Sequence, residues 1–245
     1  MSRTFSHDVV DSTNERALES IARGEASDGD LHVATQQTMG RGRRGHTWVS
    51  APGEGSYATI VVRPAPPAPE PAGWTIATGL AVRDGVRGLG LQRARLKWPN
   101  DVLVGNAKLA GILVEARGFD PQQPALVVGV GINVLQRNFP AELTAEREVT
   151  SLALEGVGTT CDEVLSAWVA AFALRRSQLV EAPASLTEAY LEATGLGGAP
   201  VRVRCGREVH EGVLEALDLQ AGLRLTQAGG TQLLALAHVT AVEAL

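Results

Sequence analysis

Residues 40–45, Gly-Arg-Gly-Arg-Arg-Gly, alternate unhindered backbone with guanidinium groups, and Trp48 follows three positions later. No acidic residue stands between Asp30 and Glu54, so this stretch is locally basic in a chain of net charge −5. Arginine forks and glycine amides together suit an anion. The run also contains the G-x-G-x-x-G of dinucleotide-binding folds. That fingerprint has to open a helix, whereas Gly45 leads into His-Thr-Trp-Val-Ser-Ala-Pro, which cannot form one. The segment therefore reads as a loop that closes on an anion, with Trp48 offering a flat face to a base or another ring. The alternatives are a solvated basic loop and an RNA-binding arginine–glycine segment, although the latter are usually repeated in low-complexity sequence.

Further candidates lie downstream. In Lys108-Leu-Ala-Gly-Ile-Leu-Val-Glu115, period-2 alternation puts Lys108, Ala110, Ile112 and Val114 on one face. A lysine among apolar neighbours needs an anion to offset its desolvation, unless it snorkels from a sheet edge. Gly111 leaves room for something to approach the backbone. Asn133, in Gly129-Val-Gly-Ile-Asn-Val134, reads either as a polar contact or as the cap of a strand end. Upstream, Ser12 and Glu15 have the spacing of a capping box, which would account for Ser12. The amides and hydroxyls of Ser12, Thr13 and Asn14 would also suit a polar ligand at a helix N-terminus. Asp101 is an isolated candidate for a metal, since no carboxylates cluster in the sequence.

These residues need elements to hold them. The spacing predicts a helix after Asp11 that stops near Gly24, and strands at Leu31–Thr35 and Tyr57–Val62. A proline-rich loop fills Pro64–Pro71, and a helix follows from Trp74 to Leu89. Leu96–Val104 and Lys108–Glu115 read as two strands joined by a tight Gly105-Asn106 turn, and the almost wholly apolar Leu126–Val134 reads as a central strand. Thr160–Glu163 repeats the capping-box spacing ahead of a long helix, and a shorter helix starts near Ser185. Gly195–Pro200 marks a boundary between units 1–196 and 197–245. Beyond it, Val201–Val203, Val209–Leu217, Leu223–Thr226, Leu233–Ala237 and His238–Val242 suggest a small β-barrel.

Composition narrows the class. With 44% hydrophobic and 20% charged residues, the 245-residue chain can bury a core. The acidic balance argues against a protein that coats nucleic acid. Cys161 and Cys205 fit no metal or redox spacing. No apolar run approaches the ~20 residues that span a bilayer, and no signal-peptide h-region opens the chain, so a soluble cytoplasmic protein is expected.

Asp-Ser-Thr-Asn, Gln-Thr-Met-Gly-Arg-Gly-Arg-Arg-Gly, Lys-Trp-Pro-Asn-Asp, Lys-Leu-Ala-Gly-Ile-Leu-Val-Glu and Gly-Val-Gly-Ile-Asn-Val occur in this order between Asp11 and Leu135. Together they resemble the biotin–protein ligase family. The resemblance implies an α+β fold: a mixed-sheet catalytic domain of the biotin/lipoate ligase type, followed by a small SH3-like β-barrel. It implies adenylation of biotin by ATP with Mg²⁺, then transfer to a lysine of a biotin carboxyl carrier domain, as in acetyl-CoA carboxylase. It would have Ser12, Thr13 and Asn14 hold the ureido ring, and Gln37, Arg41, Gly42 and Arg43 line biotin and the adenylate. Trp48 would pack near adenine, Lys108 would contact carboxylate and phosphate with Gly111 beside it, and Asn133 would contact the nucleotide. Arg41, Arg43 and Lys108 are the catalytic candidates. Met39 departs from the pattern, which has a small residue there. With about ten residues ahead of the first motif and no helix-turn-helix pattern, neither DNA binding nor repressor activity is expected. A homodimer through the central sheet or the barrel is left open. A lipoate–protein ligase is the alternative within the same chemistry.

Overall fold

The computed structural model describes residues 2–117 and 122–245. The chain opens with β1 (Thr4–Val10), a strand the sequence reading passed over, and continues through α1 (Thr13–Ala22), β2 (Leu31–Gln37) and β3 (Gly55–Val62) to α2 (Pro71–Gly88). Then come β4 (Ala94–Lys97), β5 (Asp101–Val104), β6 (Ala107–Glu115) and β7 (Leu126–Asn133). A short α3 (Ala141–Glu146), the long α4 (Cys161–Glu181) and α5 (Pro183–Thr194) lead to β8 (Pro200–Cys205), β9 (Glu208–Asp218), β10 (Gly222–Gln227), β11 (Gly230–Leu234) and β12 (Val239–Ala244).

Seven strands form a mixed sheet in the order β1-β2-β3-β7-β6-β5-β4, in which β1 and β2 run parallel and the other neighbours antiparallel. The apolar β7 is the middle strand, as its composition predicts. Alternation splits each strand between two faces. Ile60 and Val128 join the large core under α2 and α4, while Val61 and Val127 pack with Ala17 and Leu18 of α1. Gly85 lets α2 and α4 touch closely: a Cβ there would stand 2.8 Å from the Trp168 amide nitrogen. The last five strands form an antiparallel sheet in the order β11-β10-β9-β8-β12, the SH3-like part, whose Val201, Leu225 and Val242 belong to the same continuous core. No helix among the described residues is long and apolar enough to cross a membrane.

Four expectations change. Leu96–Val104 is two strands, because Pro99 has no amide hydrogen for a ladder. The Trp98-Pro99-Asn100 turn folds β4 onto β5, with Lys97 opposite Asp101. Lys108 does not share a face with Ala110 and Ile112. The register slips at Leu103, so Leu109 is an extra residue, and Lys108 lies with Gly111 on the opposite face while Leu109, Ala110 and Ile112 enter the core. The Ser12–Glu15 capping box does not form: Ser12 caps α1 without a side-chain hydrogen bond, since Glu15 is drawn to Arg41 and Arg117. The box at Thr160–Glu163 is complete. Finally, β11 stops at Leu234, and Leu236–His238 is a 3₁₀ turn.

Candidate active site

The site lies on the α1 face of the sheet, and its floor is built by omission of side chains. On β7, Val127, Gly129, Gly131 and Asn133 fall on one face by period 2, and the cross-strand rungs are Thr59–Gly129–Leu113 and Tyr57–Gly131–Gly111–Asp101. Gly129 makes room for the Asn14 carboxamide, which would overlap a Cβ there. Gly111 and Gly131 make a bare platform for the Trp48 indole. A Cβ on Gly131 would stand 2.5 Å from Trp48 Cε2, and one on Gly111 3.0 Å from Cζ3. Trp48 Nε1 is buried without a hydrogen-bond partner, and Lys108 Nζ lies 5.6 Å from the ring centroid.

The start of α1 supplies one wall. The Thr13 amide and hydroxyl both donate to Gln37 Oε1, at 2.8 and 3.1 Å. That fixes the Gln37 amide, whose NH₂ makes no hydrogen bond among the described residues, at the cavity that Gln37 lines. Thr59 Oγ1 stands 2.7 Å from Thr13 Oγ1 and 2.6 Å from Asn14 Oδ1. Asn14 Nδ2 donates to Glu115 Oε2 at 2.8 Å and to the Leu113 carbonyl at 3.3 Å, so both its amide hydrogens serve the protein. Ser12, lacking a capping bond, leaves its hydroxyl for the cavity it lines.

The arginine loop is a narrow hairpin across this floor. Trp48 N donates to Gly40 O, and Gly42 N to His46 O at 2.7 Å. The Gly42 amide thus closes the hairpin within the loop. Arg44 (φ 56°) is the one left-handed non-glycine among the described residues, and this unusual geometry turns the hairpin tip. Arg41 bridges Glu15 at 2.8 Å and Glu115 at 2.6 Å, which pins the loop to α1 and β6. The bidentate Arg117, with Arg41 adding to it, holds the Glu15 carboxyl below its ordinary value despite partial burial. Arg43 makes no ion pair among the described residues; burial, with Arg44 adding, lowers its pKa. Lys108 Nζ approaches Asp101 Oδ1 to 2.6 Å, a charge pairing without hydrogen-bond alignment. Met39 is exposed on the outer side of the loop.

These groups enclose a cavity of about 420 Å³ that Ser12, Thr13, Asn14, Gln37, Arg41, Gly42, Arg43, Trp48, Lys108 and Gly111 all line. Asn133 sits instead in an adjoining cleft of about 50 Å³, walled by Val49, Ala51, Phe139, Leu143 and Val149. Its Nδ2 donates to Thr150 O at 2.9 Å, which braces the segment beside Lys108. The sequence reading missed several contributors, Arg147 among them. Thr59 signalled itself only as one more β-branched strand residue. The rim formed by Thr240, Ala241 and Glu243 comes from β12, which reaches the site because Trp98 Nε1 donates to Val239 O at 3.4 Å. Chemically, the site has room for an elongated acid, cations where negative charge would gather, and a second compartment for a flat apolar group.

Residues 6–133 match the profile of the biotin/lipoate A/B protein ligase family. The chain is 34% identical over 239 residues to the biotin–[acetyl-CoA-carboxylase] ligase of Paracoccus denitrificans, covering 94% of this chain and 97% of that one. Against the bifunctional ligase/repressor BirA of Escherichia coli, identity is 31% over 224 residues, 90% of this chain and 68% of the other. The Aquifex aeolicus biotin protein ligase, solved in complex with biotin and ATP, superposes at a TM-score of 0.82 with 26% identity over the full length of both.

Proposed function

The chain belongs to the biotin/lipoate A/B protein ligase family, and we propose that it works as an ATP-dependent biotin–protein ligase. It would join biotin to AMP with release of pyrophosphate, then pass biotin to a lysine of a biotin carboxyl carrier domain. The names and ligands of its relatives favour biotin over lipoate. Within the molecule, the supporting observation is that the larger cavity and the smaller cleft meet at Lys108. An acyl-adenylate has this shape, with acid at one end, base at the other and a phosphate between.

Ser12, Thr13 and Gln37 would receive the ureido ring, since the oriented Gln37 NH₂ complements its carbonyl oxygen. Asn14, committed to Glu115 and Leu113, would shape the pocket more than bind within it. The cleft holding Asn133 would take adenine, and its small volume requires Trp48 to shift when the base enters. In the first step, a biotin carboxylate oxygen bonds to the α-phosphorus and the bond to pyrophosphate breaks. Two anions must meet, so fixed positive charge matters more than an acid or base. Lys108, steered by Asp101, and the desolvated Arg43 are placed to supply it, while Arg41 holds the loop shut. In the second step the acceptor amine bonds to the acyl carbon, AMP departs and the amine loses a proton. The closed loop would keep water from the mixed anhydride until then.

Among the described residues no three His, Cys, Asp or Glu side chains gather, and the carboxylates lining the larger cavity are Asp101 and Glu243. This donor set fits Mg²⁺ carried largely by phosphates, with Asp101 helping to hold it. Bound there, it would offset phosphate charge. A division into units 1–196 and 197–245, an acceptor carrier domain and a cytoplasmic location complete the proposal, which needs only one copy of the chain. Exchange of labelled pyrophosphate into ATP tests it. Exchange is expected with biotin and absent with lipoate, and the reverse pattern would move the substrate to lipoate.

A further inference from the structure

Four residues line both the cavity and the adjoining cleft: Thr47, Trp48, Lys108 and Arg147. Two of the four are cations, and Arg147 belongs to none of the motifs that point to the site. Its position is set by backbone. Arg147 N closes α3 on Leu143 O, and the chain then lies against β6: Lys108 N donates to Glu148 O at 2.9 Å and Thr150 N to Lys108 O at 3.0 Å. Asn133 Nδ2 holds the far end of this segment through Thr150 O. Arg147 is thereby held beside Lys108 at the seam between the two compartments.

Charge decides what the seam needs. Lys108 shares its charge with Asp101 at 2.6 Å, so a group with several negative charges at the seam calls for a further cation beside it. The one ion pair of Arg147 among the described residues is to the adjacent, largely exposed Glu146 at 3.3 Å. Such a contact is weak and easily exchanged for a stronger anion. We infer that Arg147 is a second phosphate-binding residue, gripping the phosphate that joins the two ends of the adenylate at the seam. The inference rests on the proposed adenylation and assigns a residue to it.

The test compares wild type, Arg147→Ala and Arg147→Lys in biotin-dependent pyrophosphate exchange over a range of ATP concentrations. Biotin binding without ATP and thermal melting are measured alongside. Arg147→Ala is expected to raise the KM for ATP or lower exchange by tenfold or more, with biotin affinity and melting unchanged and Arg147→Lys recovering part of the loss. Wild-type exchange in Arg147→Ala would overturn the inference. So would parallel loss of biotin binding and melting temperature, which would make Arg147 a structural brace. Wild-type protein inactive with biotin would bring down the proposed adenylation and this inference together.

Discussion

The Trp48 indole rests on Gly131: a β-carbon there would stand 2.5 Å from Trp48 Cε2, inside any normal contact, while the same atom on Gly111 would stand 3.0 Å from Cζ3. These two glycines face each other across β6 and β7. Neither lies at a positive φ, so their role is space and not backbone freedom. Gly131→Ala should therefore displace the indole and weaken biotin or ATP binding about tenfold or more, with little change in melting temperature. Gly111→Ala should do the same to a smaller degree. Calorimetric binding constants for both variants check the order, and equal effects or a reversed order would contradict it.

Lys108→Ala and Arg43→Ala are each expected to slow adenylate formation by about a hundredfold, the scale of removing one fixed electrostatic stabiliser. The two should differ in stability. Removing Lys108 leaves Asp101 without its 2.6 Å partner, whereas Arg43 has no ion pair to lose among the described residues, so Lys108→Ala should also melt lower. Pyrophosphate release and thermal melting measure the two effects separately, and normal release from both variants would remove them from the chemistry.

Ser12→Ala and Thr160→Ala distinguish a helix cap from a ligand group. The Thr160 hydroxyl accepts from Glu163 N at 3.2 Å and Glu163 reciprocates, so Thr160→Ala should cost about 1 kcal/mol. Ser12 makes no such bond, so Ser12→Ala should cost well under that and lower biotin affinity instead. Chemical denaturation and biotin binding on the same samples decide, and a large stability loss at Ser12 would restore the simple cap.

Acid stability should fall in two steps. Burial, reinforced by His7, pushes the His32 imidazole down to about 4 from 6.5. The unfolded chain then takes up that proton more readily, so stability is full above pH 6.5 and declines as pH falls toward 4. Burial alone would raise the Asp30 carboxyl, but Arg3 and the Ser27 and Arg3 amides overcome it and hold the group at about 2. Its contribution is present above the ordinary 3.8 and is lost as pH falls through about 2. Melting temperature measured from pH 8 to pH 3 should drop first between 6.5 and 4, and His32→Phe should flatten that first drop.

Much of this site could be read in the sequence because it depends on residue types that are hard to explain otherwise: glycines inside strands, arginines in a row, a lysine and an asparagine at strand ends. Ten of the eleven candidate positions line one cavity and Asn133 lines the cleft beside it. The failures have a common cause, which is that local rules do not know about partners far along the chain. Glu15 suits a cap for Ser12 until Arg41 and Arg117 compete for it. Lys108 alternates with Ala110 until a bulge against β5 inserts Leu109. Edge strand β1 has mixed exposure and little pattern of its own, and its pairing with β2 decides it. Arg147 carries no motif and reaches the seam only because residues 148–150 are laid along Lys108.

The most direct measurement of the central claim is incorporation of labelled biotin into a biotin carboxyl carrier domain by the purified protein, omitting ATP, Mg²⁺, carrier or enzyme in turn. Label is expected on a single carrier lysine only when all components are present, and is expected to be lost in Lys108→Ala. Label that accumulates without ATP, or a complete mixture that transfers nothing, would contradict that claim.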